Sequence, residues 1–340
     1  MNQKLTLYGC LAAIVFVTSC QDHRIPTPTD PTFTVAPLIT GLIAPISVET
    51  DANGRVFVAE QGTGNNDGNV SEITPDGKKH PIVTGIYSQT NTTGDLDAVD
   101  HLLVADGMLY FLNPKGLYKI DLASYKTDVT PAIPASDLIP KDIRQFVIDH
   151  GFTNDTGESH LYNLTLGPDG ALYITDAAAN AIIRYSKTGD LSVLTDVPGI
   201  ANPNPAGPPP GPPFIQSVPT GITYDGHHFL ISTLLGFPFP AGKAILYQMD
   251  LTGTISIYQQ TFNSLVDVEN DSNGKPLVLE FAVFGPAGFT PNTGRLLRAN
   301  GTTSTVLLDK LNLPTDLKIS NSHTAYITSM GDGALLKVSF

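Results

Sequence analysis

The sequence predicts an all-β protein, a six-bladed β-propeller built from four-stranded blades. Two observations lead there: one four-strand unit recurs along the chain, and its last copy lacks a strand that the N-terminal region can supply. The unit is clearest at Asn163–Val197. Its apolar runs Leu164–Leu166, Ala171–Thr175, Ala181–Tyr185 and Leu191–Thr195 are separated by Gly167-Pro168-Asp169-Gly170, Asp176–Asn180 and Thr188-Gly189-Asp190. Short β-rich runs between Gly, Pro, Asn and Asp read as strands joined by tight turns. A single meander cannot bury both of its faces, so copies are required.

The second strands of the units are Arg55–Glu60, Met108–Asn113, Ala171–Asp176, His228–Thr233, Pro276–Phe281 and Thr324–Ser329. Asx–Gly turns precede all but the last: Asn53-Gly54, Asp106-Gly107, Asp169-Gly170, Asp225-Gly226 and Asn273-Gly274. Such pairs between apolar runs are the strongest short-range hairpin signal. First strands open at Ala44–Ser47, Val218–Gly221 and Leu313–Asp316. Third strands are Asn69–Ile73, Leu117–Ile120, Ala181–Tyr185, Ala244–Met249, Arg295–Arg298 and Ala334–Val338. Fourth strands include Leu191–Thr195, Thr254–Tyr258 and Thr303–Leu308. Many are continuous apolar runs, as expected of sheets covered on both faces. The sixth unit stops after its third strand at Phe340, and Phe33–Ile39 is spare at the other end. A strand over about residues 32–40 therefore completes the last blade and closes the ring.

The extra residues of the longer units fall between fourth and first strands (Tyr87–Asp95, Ala123–Ser159, Pro198–Ser217) or between second and third strands (Gln61–Gly68, Leu234–Gly242, Ala282–Thr293). In an up-and-down blade both connections emerge on one face, which is then the functional face. Within Asp137–His150 the spacing of Ile143, Phe146 and Val147 predicts a short helix covering a blade edge, with Asp142 as cap. Phe237 and Phe239, in a Gly/Pro-rich loop of this face, are candidate binding anchors, with Asn163 and Thr220 near the axis. Glu60, Asp176, Asp267, Glu280 and Asp316 are candidate ligands for Ca²⁺ or another divalent metal at the channel mouth, because such ions take several oxygens. The competing reading is that these residues cap strand ends and join blade to blade.

The chain has 340 residues, with 19 Lys plus Arg against 32 Asp plus Glu and a formal charge of −13. An acidic chain repels phosphate backbones, so no nucleic-acid partner is expected. The absence of Trp disfavours WD-type repeats and sialidase-type Asp boxes. Residues 1–19 read as an export signal: Lys4 flanks the apolar run Leu5–Val17, which is too short to span a bilayer. Val17-Thr18-Ser19-Cys20 resembles a bacterial lipobox, which implies lipidation of Cys20 and stable anchoring by its acyl chains. Residues 20–31, polar and Pro-rich, then form a tether, and 32–340 form a single propeller domain. Cys10 would leave with the signal, so no disulfide or Cys-based site is expected. The expected location is the cell envelope, lipid-anchored to the outer membrane if the cell is Gram-negative, as a monomer.

Val218–Asp250 with its loop Leu235-Gly236-Phe237-Pro238-Phe239-Pro240, Glu158–Asn180 with Gly167–Tyr173, and Ala59-Glu60-Gln61-Gly62 resemble the ScyD/ScyE family of exported bacterial propellers, of NHL/TolB-like fold. The resemblance extends over nearly the whole mature chain and includes a Pro-rich loop ahead of Gly236–Pro240. Glu158–Asn163 departs from the family's Ser-Asn-Pro-Tyr-Gly type of run, so no site on that run is carried over. The resemblance implies no catalytic residues. The leading expectation is a non-catalytic binding or scaffold propeller with a protein or carbohydrate-like ligand. The alternative is a metal-dependent lactonase or hydrolase of gluconolactonase type. A quinone-dependent sugar dehydrogenase, faintly suggested by Val58–Gly62, ranks last because the loops are poor in Arg.

Overall fold

The computed structural model describes residues 32–92, 94–152, 156–206 and 211–340. The expected signal, Cys20 and tether lie outside the described residues. Six antiparallel blades follow one another along the chain. Blade 1 runs Pro45–Thr50, Val56–Glu60, Gly68–Ile73 and Lys79–Ile86. Blade 3 runs Leu161–Leu166, Leu172–Asp176, Ala181–Tyr185 and Leu191–Asp196; blade 4 runs Pro219–Tyr224, Phe229–Thr233, Ala244–Met249 and Ile255–Phe262. Blade 5 runs Leu265–Asn270, Pro276–Glu280, Gly294–Ala299 and Ser304–Leu311.

Blade 6 has Pro314–Asn321, Thr324–Ser329 and Ala334–Ser339 in sequence, and its outer strand is Thr34–Thr40. That strand pairs from Thr34 opposite Ser339 to Thr40 opposite Ala334, so the ring closes as the sequence predicts. Phe33 stacks on Phe340 at 4.6 Å between ring centroids and clamps the two ends.

The core is a set of wedges between adjacent blades, not one central mass. Phe57, Val70 and Ile82 of blade 1 pack with Leu109 and Phe111 of blade 2. Leu230, Leu246 and Phe262 of blade 4 pack with Val268, Val278 and Leu297 of blade 5. Val48, Val56 and Val58 of blade 1 meet Leu335 of blade 6. Each sheet is thus covered on both faces, which is why its strands read as continuous apolar runs. Burying one such side chain contributes about 1.5–3 kcal/mol.

One expectation needs correction. Blade 2 has three strands, Leu102–Ala105, Met108–Asn113 and Gly116–Asp121, not four. The chain that follows leaves the blade. Ile133–Pro134 pairs in parallel with Val83–Thr84 and gives blade 1 a fifth strand. Pro131, Pro134 and Pro140 punctuate this stretch, and proline cannot donate to a ladder. Lys141 then returns to the edge of blade 2: Leu117 N donates to its carbonyl at 3.0 Å and Lys141 N donates to Leu117 O at 2.8 Å. Gly116 permits this close pass. Its φ is +130°, and a Cβ there would stand 2.1 Å from Lys141 O. The predicted helix forms at Arg144–Asp149 and buries Val147, with Ile143 buried just before it, between blades 2 and 3. Ile143 holds the cap position; Asp142 lies one residue earlier and accepts from Gln145 N at 3.3 Å.

Candidate functional site

First strands begin where second strands end, as the pairing of Pro45 with Glu60 and of Leu161 with Asp176 shows. The long connections of the four-stranded blades therefore share one face, as expected, and the short turns lie on the other. The connection after Asp121, expected on the loop face, instead leaves from the plain face, where Leu122 N donates to Gly107 O at 3.0 Å, because blade 2 lacks its fourth strand.

Along the axis the inner strands are joined by a complete circuit of polar links. Ser47 Oγ accepts from Leu102 N (3.0 Å), joining blades 1 and 2. His101 Nδ1 lies 3.0 Å from Tyr162 O, joining 2 and 3. Thr175 Oγ1 donates to Thr220 O (2.7 Å), and Thr220 Oγ1 to Leu265 O (3.0 Å), joining 3, 4 and 5. Leu317 N donates to Asp267 Oδ2 (3.1 Å), joining 5 and 6. Val48 N and Ser47 Oγ donate to Asp316 Oδ2 at 2.7 and 2.6 Å and close the circuit from 6 to 1. Asn163 Nδ2 adds a cross-link to Asp267 Oδ1 at 3.2 Å. Burial, then the neighbouring Asp316, pushes the Asp267 carboxyl well above its usual range, so this pair holds a proton.

Asn163 and Thr220, expected at a binding surface, are 6% and 1% exposed and belong to this circuit. Their polar groups join blades, so the structure removes them from the accessible face.

The expected metal ligands divide into two sets. Asp267 and Asp316 come together at the axis. Glu60, Asp176 and Glu280 are apart, each at the end of its own blade's second strand. There each accepts the N–H of the residue near the start of the first strand: Ile43 N to Glu60 (2.8 Å), His160 N to Asp176 (2.8 Å) and Asn263 N to Glu280 (2.8 Å). Lys79 and Arg295 neutralise Glu60 and Glu280 at 2.7 and 2.6 Å. An unpaired N–H at a buried strand end is costly, and a carboxylate satisfies it. Among the described residues no group of three or more His, Cys, Asp and Glu side chains is placed to hold a metal ion.

Two charged clusters lie at the ends of the axis. On the loop side, His160 Nε2 sits 3.2 Å from Asp100, which holds the imidazole proton to about pH 9 despite burial. On the plain side, Lys318 Nζ bridges Glu49 (2.9 Å) and Glu269 (3.0 Å). Burial raises the Glu49 carboxyl to about 7 even beside that lysine.

The loop face carries an aromatic cluster over blades 4 and 5. Phe239 packs at 4.8 Å from Phe284 and 4.9 Å from Phe289, and Phe281 at 5.0 Å from Phe289. Phe284 and Phe289 face each other across a short hairpin. Phe237 caps the cluster edge-on at 6.2 Å from Phe239 and Phe284 and is 62% exposed. Of the two expected anchors, then, Phe237 presents its ring and Phe239 supports it. The sequence reading missed Phe281, Phe284 and Phe289. The signal was present, since both aromatic loops join second to third strands of consecutive blades. The neighbouring segment is tied in by Leu235 N to Ser217 O (3.0 Å) and Gly236 N to Gln216 O (2.9 Å), and it brings Phe214, 69% exposed.

No family profile and no curated protein matches the sequence. Solved structures do match. A catalytically inactive virginiamycin B lyase from Staphylococcus aureus with quinupristin is 17% identical over 91% of this chain and 99% of its own, with a TM-score of 0.54. A PQQ-bound aldose sugar dehydrogenase from Streptomyces coelicolor is 13% identical over 91% and 98%, with a TM-score of 0.59. A gluconolactonase-like protein is 12% identical over 90% and 92%, with a TM-score of 0.54. At these identities the likeness shows the six-bladed propeller fold and nothing of activity.

Proposed function

We propose that this protein is an exported, lipid-anchored propeller of the ScyD/ScyE kind. In this reading it is a binding module that engages its partner through the phenylalanine cluster of the loop face. The observation that carries the reading is Phe237, 62% exposed on top of packed aromatic rings. A rigid, pre-packed aromatic loses little entropy on binding and buries a large apolar area. The described chain joins the ring at Thr34, at the plain end of blade 6 beside Ser339. The carboxylates expected at a catalytic metal are already engaged by backbone N–H groups and cations, which favours the binding reading over a metal-dependent lactonase or hydrolase.

The test compares envelope proteins retained by the wild-type chain, by Phe237→Ala and by a plain-face control, His227→Ala. A partner retained by wild type and control and lost by Phe237→Ala supports the reading. Equal retention by all three overturns it, and so does a stoichiometric divalent metal in the purified protein.

A further inference from the structure

The strand that blade 2 lacks leaves a cleft of about 450 Å³ between blades 2 and 3 on the outer wall, toward the plain face. Its floor includes Leu166 and Leu172 of blade 3, and Tyr110 and Tyr185 line it from opposite blades. Its rim carries Lys119, Lys141 and Lys187 with the carboxylate of Asp106, and Asp190 lies close enough to Lys141 to feel its charge.

That charge pattern is unusual here, because the chain has only 19 basic residues against 32 acidic ones. Three other lysines are held by carboxylates: Lys78 by Asp76, Lys79 by Glu60 and Lys318 by Glu49 and Glu269. Lys119, Lys141 and Lys187 are exposed and form no ion pair among the described residues. Their placement is built by the backbone. The Leu117–Lys141 bridge fixes Lys141, whose ammonium lies 5.9 Å from the Tyr185 ring centroid. The Lys187 stem lies across Gly170, where a Cβ would stand 1.8 Å from its Cε. The volume falls within the range of small-ligand pockets, and aromatic walls with a few placed polar groups are their usual lining.

We propose that this cleft binds an anionic saccharide, its carboxylate or sulfate held by Lys119, Lys141 and Lys187 and its ring laid against Tyr110 and Tyr185. Three ammonium groups select the negative charge, and the tyrosine rings offer flat apolar surface to sugar C–H groups while their hydroxyls reach sugar oxygens. The site is separate from the phenylalanine cluster and does not depend on it.

Calorimetric titration of the full chain tests this with a galacturonate tetrasaccharide, a sulfated heparin-derived tetrasaccharide and a neutral galactose tetrasaccharide. At low salt at least one acidic sugar binds, and the neutral sugar binds about tenfold or more weakly. Lys119→Gln, Lys141→Gln and Lys187→Gln each weaken that binding about tenfold, with melting temperature unchanged because the side chains are exposed. Lys275→Gln, on the opposite side of the ring, leaves binding unchanged, and raising the salt weakens it. The proposal falls if neither acidic sugar binds, if the neutral sugar binds equally, or if an acidic peptide of matched charge binds as tightly. It also falls if the lysine variants keep full affinity.

Discussion

Blades 2 and 6 both leave the contiguous chain one strand short, and the molecule treats the two gaps in opposite ways. In blade 6 a distant segment fills the gap: Thr34–Thr40 pairs along the whole length of Ala334–Ser339. In blade 2 the chain that could fill it departs to blade 1, and the gap is strapped at one point by Lys141. The first gap lies between the chain ends, where an open edge would let the ring separate. The second lies inside continuous chain, where Ile143 and Val147 already cover the wedge, so an open edge is tolerated and becomes a cleft. A missing strand is thus a closure device in one blade and a binding opportunity in the other.

The largest expected effect comes from making blade 6 like blade 2. Deleting Thr32–Thr40 removes the outer strand and the Phe33–Phe340 stack, and we expect loss of cooperative unfolding in calorimetry. A sharp transition near the wild-type temperature would show that the ring does not need closure. Next comes the axial circuit. Asp316→Ala strands the donors Ser47 Oγ and Val48 N between blades 6 and 1, and an expected loss of about 2–4 kcal/mol, from about 1–3 kcal/mol per buried donor left unpaired, is read from urea unfolding. A loss under 1 kcal/mol would mean that the wedges alone hold that interface.

The strap of blade 2 is a smaller target. Gly116→Ala puts a Cβ against Lys141 O, at an expected cost of about 1–3 kcal/mol. Hydrogen exchange should quicken at the Leu117 and Lys141 amides and stay slow in blade 6. Uniform acceleration would show that the two blades are not independent.

Stability should also fall as pH rises from about 5 to 9. The folded state holds protons on Glu49 up to about pH 7 and on His160 up to about pH 9, whereas the unfolded chain releases them near 4.5 and 6.5. Wherever the folded state binds more protons, raising the pH destabilises it. The expected fall in melting temperature is about 4 °C or more, since 1 kcal/mol corresponds to about 2–4 °C in chains of some 150–250 residues. His160→Gln should flatten the upper part of that profile; an unchanged profile would remove His160 from the account. The smallest effect is that of Phe237→Ala, within about 0.5 kcal/mol because the ring is exposed. A loss above 2 kcal/mol would make Phe237 part of the core.

Strand order and blade number were legible in the sequence because they are local. Asn53-Gly54, Asp106-Gly107 and Asp169-Gly170 mark hairpins by turn geometry alone, and the apolar runs after them name the strands. The terminal gap was equally legible, since a unit one strand short at Phe340 and a spare run at Phe33–Ile39 need only counting. What Asp267, Asp316, Asn163 and Thr220 do was not legible, because each finds its partners in another blade. Glu60 and Asp176 read alike whether they face a metal or an amide; only the three-dimensional meeting of strand ends decides. Blade 2 shows the same limit from the other side. Pro131, Pro134 and Pro140 say that the chain cannot make a ladder there, but not that Ile133 will pair with blade 1. Nor does any local pattern announce that Lys119, Lys141 and Lys187 share a cleft. Hairpins form between neighbours in sequence, whereas blade-to-blade contacts are chosen when the ring closes and every face finds its cover.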